Sequence, residues 1–499
     1  MSLYRSRKDL HADPHDQRHV RRAFLFITTP APIWPDAAMS YTRYHIHTQP
    51  APNLAGHPNR FNVKVSRVGL AKLLLGEIIH TRADMRVVTS RPCMYGVFSG
   101  PIGGFAPRPQ HCVGCLRCTV QYPEMVKVTP NPDRLELGDT YFNPDMVDTV
   151  IYEASTGRVP VRGAGFGGSF GGHGWDGMWT DMSEIVRPTR DGIHGREFIS
   201  TAVDIGSKPL LLHFDDEGNL ISAGAHTQTL PIPYLLELPI PDPSVARILQ
   251  SAAMETGTLL TIPIDRAVEF GLSGQALAPI LAPEEIGSLS QLHVPPDIVE
   301  LTQWDTDVVN SLRKDQPGIV VGLRGPFEQI DVIEAVDLGV DFLHLTADFH
   351  GGTQNGFVLD AIRAAHEKLV NAGMRERISL LGSGGIAAAE HVPKAIICGL
   401  DAIALDTPLL IALQAQFIGD YTTQEVNSVR LLPLDESWGR QRIMNLLGSW
   451  RDQLLEILGA MGLREVRRLR GEMGRAMFQI DLEQEAFTGI PGFEEAGDV

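Results

Sequence analysis

Residues 378–407 read ISLLGSGGIAAAEHVPKAIICGLDAIALDT. The run Ile378–Leu381 is short, apolar and β-like, and it ends in Gly382-Ser383-Gly384-Gly385. Ala388–Cys398 follows with apolar residues at helical spacing, and Gly399 stands where a helix should stop. A second β-like run, Ala402–Leu405, then ends in Asp406-Thr407. A strand, a helix and a strand at this spacing make one parallel βαβ unit.

Working outward, the same texture extends back to about residue 208. The β-like runs are Pro209–Phe214, Tyr234–Leu238, Thr258–Ile264, Ile298–Leu301, Ile319–Leu323, Phe342–Leu345, Ile378–Leu381 and Ala402–Leu405. Helical patterns lie between them at Ser244–Glu255, Thr306–Lys314, Ile330–Leu338 and Val358–Ala372. Eight parallel strands close into a barrel, so the expected fold class is α/β, a (β/α)8 TIM barrel over 208–420. A doubly wound open sheet is the competing arrangement. The first connection, Asp215–Pro233, lacks a clear helix and is the weakest unit.

The remaining organisation is read from composition. Residues 1–90 form a leader rich in His, Pro and Arg plus a helix at Val65–Ile79. Residues 91–135 hold the cysteines, 136–207 are a Gly-rich connection, and 421–499 are a helical extension including Arg440–Gly459 and Leu463–Arg470. The arginines Arg464, Arg467, Arg468 and Arg470 read as a solvated or salt-bridged face. A net charge of −17 argues against nucleic acid or an anionic membrane as partner. With no apolar run of membrane-spanning length and no secretory h-region, the expected location is the cytoplasm.

Five cysteines, three of them within seven residues, suggest a metal site rather than a disulfide scaffold. Cys112-x2-Cys115-x2-Cys118 has the bacterial ferredoxin spacing for an iron–sulfur cluster. The fourth position of that motif holds Tyr122, although its proline is present as Pro123. Two completions are open. Cys93 supplies a fourth thiolate from across the Gly-rich loop 96–104, giving a 4Fe–4S cluster. Otherwise three thiolates hold a 3Fe–4S cluster, or a 4Fe–4S cluster with a ligand other than Cys. Zinc or free thiols are the alternatives, and Cys398 reads as a small core residue.

The loops after the last two barrel strands commonly bind a phosphate. Ser383, Gly384, Gly385, Asp406 and Thr407 are therefore candidates to hold a phosphorylated cofactor. A tight turn needing positive φ at the glycines is the plainer explanation. Asp406 is awkward there, because a carboxylate repels a phosphate. Gly163–Gly168 matches G-x-G-x-x-G, but more glycine loop follows it instead of a helix, so it is set aside.

Barrel chemistry is expected at the strands' C-terminal ends, which supply His213, Asp215, Glu237, Asp265, Arg266, Asp305, Arg324, Asp348 and His350. Arg324 is the candidate carboxylate clamp, and His350, ahead of Gly351-Gly352-Thr353, is a candidate exposed catalytic group beside Asp348. The stretch Glu184–Glu197 clusters Arg187, Arg190, His194 and Arg196, which could face an anion or be neutralised locally.

Four segments together resemble the FMN-binding, glutamate synthase-like family: Ala347–Thr353, Leu369–Arg377, Leu381–Leu410 and Arg442–Gly471. Cys112–Pro123 resembles the ferredoxin-like segment of its archaeal-type members. The resemblance implies FMN in the barrel and reduction of an imine made from 2-oxoglutarate and ammonia, giving glutamate. It implies that Gly384, Gly385 and Thr407 hold the FMN phosphate, with Gly351, Gly352 and Thr353 near the flavin. Since no dinucleotide-binding fold is evident, an electron-donor protein or reductase subunit is the expected partner, and an oligomer is expected. His350 departs from the family's usual Asp and Asp406 from its usual Gly. The start Met1-Ser2-Leu3 offers no N-terminal Cys nucleophile, so no glutaminase activity is expected and ammonia needs another source.

Overall fold

A computed structural model describes residues 44–80, 82, 93–98, 106–160, 172–181, 198–219, 225–424 and 429–490. All of them but none of Met1–Arg43 belong to the compact unit Tyr44–Val499. The Gly163–Gly168 match and the arginine cluster of 184–197 lie outside the described residues.

The first elements build a small module. Strand β1 (Phe61–Val65) leads into helix α1 (Arg67–His80), followed by the short helix α2 (Arg117–Gln121) and strand β2 (Val126–Pro130). β1 and β2 pair antiparallel, Phe61 opposite Pro130 and Val65 opposite Val126. Helix α3 (Pro144–Thr156) is started by Asn143, whose side chain accepts from the N–H groups of Asp145 and Met146, with Pro144 in the first turn. Gly157, at φ 63°, stops it.

A hairpin of β3 (Val203–Ser207) and β4 (His226–Leu230) then leads into the barrel. The barrel strands are β5 (Tyr234–Glu237), β6 (Leu260–Pro263), β7 (Leu277–Leu281), β8 (Ile298–Leu301), β9 (Val320–Pro326), β10 (Phe342–Thr346), β11 (Ser379–Ser383) and β12 (Ala402–Leu405). All pair in parallel, and β12 closes on β5 through Ile403–Tyr234, Ala404–Leu235 and Leu405–Leu236. The expected barrel is therefore present. Its strands are buried on both faces, as near-continuous apolar runs should be in a covered parallel sheet. Between them run helices α4 (Pro243–Thr256), α5 (Ile264–Glu269), α6 (Thr306–Asp315), α7 (Val332–Asp337), α8 (Val358–Asn371), α9 (His391–Cys398) and α10 (Thr407–Ala412). Asp242, Asp305 and Asp331 cap α4, α6 and α7 by accepting two backbone N–H bonds each. Helix α11 (Glu436–Ala460) packs outside, against α3 and α4.

Two strand assignments need correction. Pro209–Phe214 is not in the barrel: it follows β3, and Leu210, Leu211, Leu212 and Phe214 are all more than half exposed. Its hairpin instead closes the N-terminal end of the barrel. Ser207 donates to Asp341 (2.6 Å), and Ser379 at the start of β11 donates to the Gly206 carbonyl (3.0 Å). The missing strand is β7, whose sequence LAPIL has a proline at its centre. Proline lacks an N–H for the ladder and argues against a central strand. The fold accommodates it because pairing between β7 and β8 begins one residue later, at Ile280.

The expected helix over Leu463–Arg470 shrinks to a single 3-10 turn, Val466–Arg468, between Gly462 (φ 73°) and Gly471 (φ 71°). Two of its arginines are salt-bridged, as the sequence suggested: Arg467 to Asp204 (2.9 Å) and Arg470 to Asp401 (2.6 Å). No helix among the described residues is long and apolar enough to cross a membrane.

Candidate functional site

Lone charged residues interrupt four of the apolar barrel strands, and the barrel gathers them. Glu237 ends β5, Glu300 lies in β8, Arg324 in β9 and His344 in β10. In the closed order β9 lies four strands from β5 in either direction, so an Arg324–Glu237 bond must span the barrel interior. The Arg324 guanidinium reaches Glu237, and its Nη1 donates to Glu300 Oε2 at 3.1 Å. His344 Nδ1 lies 2.9 Å from Glu300 Oε1, with both side chains fully buried. Burial alone would neutralise Glu300, but the charges of His344 and Arg324 outweigh it and hold the carboxyl below its usual range. Arg324 is thus at the expected level of the barrel, but two internal carboxylates engage it.

Above this layer the loop after β10 packs directly on the loop after β11. Asp348 accepts the N–H groups of His350 (2.9 Å) and Gly352 (2.6 Å), folding the loop tightly. Gly385 N–H donates to the Phe349 carbonyl at 3.2 Å. A Cβ on Gly384, at φ 100°, would lie 2.3 Å from the Asp348 carbonyl oxygen; one on Gly385, at φ 73°, would lie 2.8 Å from Gly351 Cα. The paired glycines therefore permit two loops to touch. Thr353 donates to the Gly356 carbonyl (2.9 Å), tying a two-residue hairpin, and Ser383 is buried at the end of β11.

His350 sits on this contact and is held from another part of the chain. Its Nε2 lies 2.8 Å from Asp139 Oδ2, in the segment between the cysteine module and α3. The Tyr141 ring stacks on the imidazole at 5.3 Å, and the Tyr141 hydroxyl donates to the Gly385 carbonyl. Sequence reasoning named His350 and Asp348 but missed Asp139, Tyr141, Glu300 and His344. For the last two a signal existed: a single charged residue inside a wholly apolar strand points to a barrel interior.

Asp406 and Thr407 begin α10. The Asp406 carboxyl accepts the Thr407 N–H, while the buried Thr407 Oγ1 has no partner. Burial, and then the charge of Glu237, push the Asp406 carboxyl up to about 8, so it is protonated at neutral pH. That resolves the awkwardness of its position, since a neutral carboxyl does not repel an anion and can donate a hydrogen bond. A linkage effect follows. From about pH 4 to about pH 8 the folded chain holds a proton that the unfolded chain has released, so stability falls as pH rises. Asp406→Asn should flatten this slope, gaining on the wild type by a few kcal/mol, to order of magnitude, across the window in chemical denaturation. Parallel pH curves for the two proteins would contradict it.

Orphaned polar atoms mark the rest of the mouth. Glu237 Oε2, Thr261 Oγ1 and Thr407 Oγ1, contributed by β5, β6 and the turn after β12, are buried without partners. Buried polar groups are ordinarily satisfied, and such a cluster is accounted for by a hydrogen-bonding ligand or water between the strand ends. The lining fits a polar cofactor there, with one qualification for its phosphate. The Gly385 and Thr407 N–H groups are bonded within the chain, while the Thr407 hydroxyl has no partner and a neutral Asp406 carboxyl can donate.

The cysteine module presents the second site. Cys93, Cys112, Cys115 and Cys118 are all unpaired thiols, and all four line one small cleft walled by Val63, Val97, Phe98 and Val128. Gly114 makes the approach possible: at φ 73°, a Cβ there would strike the Phe61 ring at 2.3 Å. Burial raises the Cys112 thiol, and the neighbouring Cys118, Cys115 and Cys93 add to the rise. Among the described residues no three His, Cys, Asp or Glu side chains are placed to hold a single metal ion. Four thiols along one cleft do match the residue types that hold an iron–sulfur cluster. Cys398 lies elsewhere, fully buried, its thiol 3.8 Å from Met178 Sδ.

The fold is a (β/α)8 barrel with a cysteine module ahead of it. Residues 355–464 match the conserved region of glutamate synthase. An archaeal glutamate synthase [NADPH] of Methanocaldococcus jannaschii is 30% identical over 187 residues, which are 35% of this chain and 36% of that protein. The archaeal-type glutamate synthase [NADPH] of Dehalococcoides mccartyi is 21% identical over 440 residues, 73% of this chain and 86% of the other. These matches make the chain similar to glutamate synthases over part of its length. The first of these alignments thus spans little more than a third of its relative. Among solved structures, the flavin-binding domain of baker's yeast flavocytochrome b2 aligns over 65% of this chain and 81% of its own, at 13% identity and a TM-score of 0.40.

Proposed function

We propose that this chain is an oxidoreductase of glutamate synthase type, with FMN in the barrel mouth and an iron–sulfur cluster in the cysteine module. The observation that carries the proposal is the convergence of Cys93, Cys112, Cys115 and Cys118 on one cleft, in a chain whose residues 355–464 match glutamate synthase. When bound, the cluster would supply single electrons and the flavin a hydride; the chain's own residues bind, orient and handle protons. Thr407 Oγ1 and Asp406 would donate to its phosphate, and Gly351, Gly352 and Thr353 would lie beside the flavin. Reduction of an imine adds hydride at carbon and a proton at nitrogen. His350, on the rim beside Asp348, holds a proton for that step. Cys115 and its neighbours Leu116 and Val120 are exposed, as is Met94, which offers an electron-carrier protein an apolar approach to the cluster.

The test is reoxidation. Protein reduced under anaerobic conditions should be reoxidised by 2-oxoglutarate plus ammonium, and by neither alone. No reoxidation by the pair removes the glutamate reaction. One observation favours a related reading, a flavoenzyme acting on another amino or oxo acid. Arg324, the expected carboxylate clamp, is engaged by Glu237 and Glu300. Reoxidation by a different 2-oxo acid, in a panel, would select that reading.

A further inference from the structure

The candidate site contains a residue contributed from outside the barrel. We propose that Asp139 is a positioning residue for His350, fixing the orientation and protonation of the imidazole over the contact between the Gly351 and Gly385 loops.

Asp139 is built for that task. Its side chain is fully buried in the pair, against 15% exposure for His350. One oxygen, Oδ1, accepts the N–H groups of Tyr141 (2.9 Å) and Phe142 (2.7 Å). The other, Oδ2, accepts the Tyr421 N–H (3.1 Å) and faces His350 Nε2 at 2.8 Å. Three backbone donors thus orient the carboxylate before it meets the histidine. A carboxylate with this many donors stays ionised despite burial. Asp139 is accordingly held below its usual range: burial opposes the charge, but the His350 bond and the N–H groups of Phe142 and Tyr421 prevail.

The groups around the imidazole act in one direction. Asp139 faces it from the connecting segment, Asp348 from its own loop and Asp420 from the loop after α10, while Tyr141 covers one ring face. Burial favours the neutral ring, yet the bond to Asp139 and the charges of all three carboxylates raise His350 above its ordinary value. With Nε2 on Asp139, Nδ1 is the nitrogen left without a hydrogen-bond partner among the described residues. The imidazole therefore presents one N–H and holds its proton more tightly than an ordinary imidazole. The connecting segment is part of the site: Asp139 and Tyr141 reach the histidine and Gly385 together.

The role of His350 in turnover rests on the function proposed above; the Asp139–His350 coupling does not, and the test separates them. In the full-length chain carrying ring-labelled histidine, the His350 resonance is assigned by its loss in His350→Gln. The wild-type midpoint should lie above the ordinary imidazole value of about 6.5. Asp139→Asn should lower it by about one pH unit or more, and Asp139→Glu should restore most of the shift. The alkaline limb of kcat/KM should move with the midpoint. A wild-type midpoint at or below the ordinary value overturns the proposal even if the Asn variant fails to fold. A midpoint indifferent to Asp139→Asn overturns it too. Midpoints that shift as expected, with activity unresponsive, would leave Asp139 in place and remove His350 from the reaction.

Discussion

Replacing Cys112 with serine is expected to strip the purified protein of its iron and of the broad visible absorption of an iron–sulfur cluster. The thiolate is the ligand, and a serine hydroxyl in its place breaks one corner of a site that offers four. Cys93 is expected to behave differently. It lies outside the ferredoxin spacing yet lines the same cleft as the triplet. Cys93→Ser should therefore reduce the cluster from about four irons to about three, with the paramagnetism of an oxidised 3Fe–4S centre. Iron analysis and electron paramagnetic resonance of anaerobically purified protein read both outcomes. Cys398→Ser is the control, because that thiol is buried against Met178 and should leave iron unchanged. Full iron retention in Cys112→Ser would remove the cluster from this site. Unchanged nuclearity in Cys93→Ser would return the fourth position to a different ligand.

The second large effect is on stability. Arg324→Ala should cost about 3–5 kcal/mol in chemical denaturation, because it leaves Glu237 without its cation inside the barrel and Glu300 with His344 alone. Much of that cost is the penalty for uncompensated buried charge. Combining Arg324→Met with Glu237→Gln and Glu300→Gln should therefore recover most of it, since neutralising a whole buried network costs less than breaking it. The sign with pH also follows. Glu300 is held below its usual range, so its pairing stabilises the wild type above the unfolded carboxylate value and is lost as pH falls through the folded one. Arg324→Ala should narrow its deficit on acidification. A loss below about 1 kcal/mol, typical of a surface pair, would mean the network does not organise the barrel.

How much of this was legible follows from which signals are local. The βαβ unit at 378–407 was, because apolar runs, a helical period and Gly399 all lie within thirty residues of one another. The barrel's third strand was not, since Pro279 imitates a strand breaker and only the register with β8 shows how it is tolerated. Pro209–Phe214 looked like a strand because apolar content alone cannot separate a buried run from an exposed one. The cysteine triplet was explicit in its spacing, and the structure adds that Cys93 lines the same cleft. Arg324 was placed at the right height, but its engagement by Glu237 depends on strands opposite each other in a closed barrel. Asp139 had no signal at all: 211 residues separate it from His350, and only tertiary structure joins them.

The most direct test is the cofactor content of the purified full-length chain, by absorption spectrum with flavin and iron analysis on the same sample. The proposal predicts two flavin bands over a broad iron–sulfur background, with about one FMN and about four irons per chain. Iron without flavin, after reconstitution with FMN as well as on purification, would contradict a flavin-bearing barrel and leave the chain as an electron-transfer subunit.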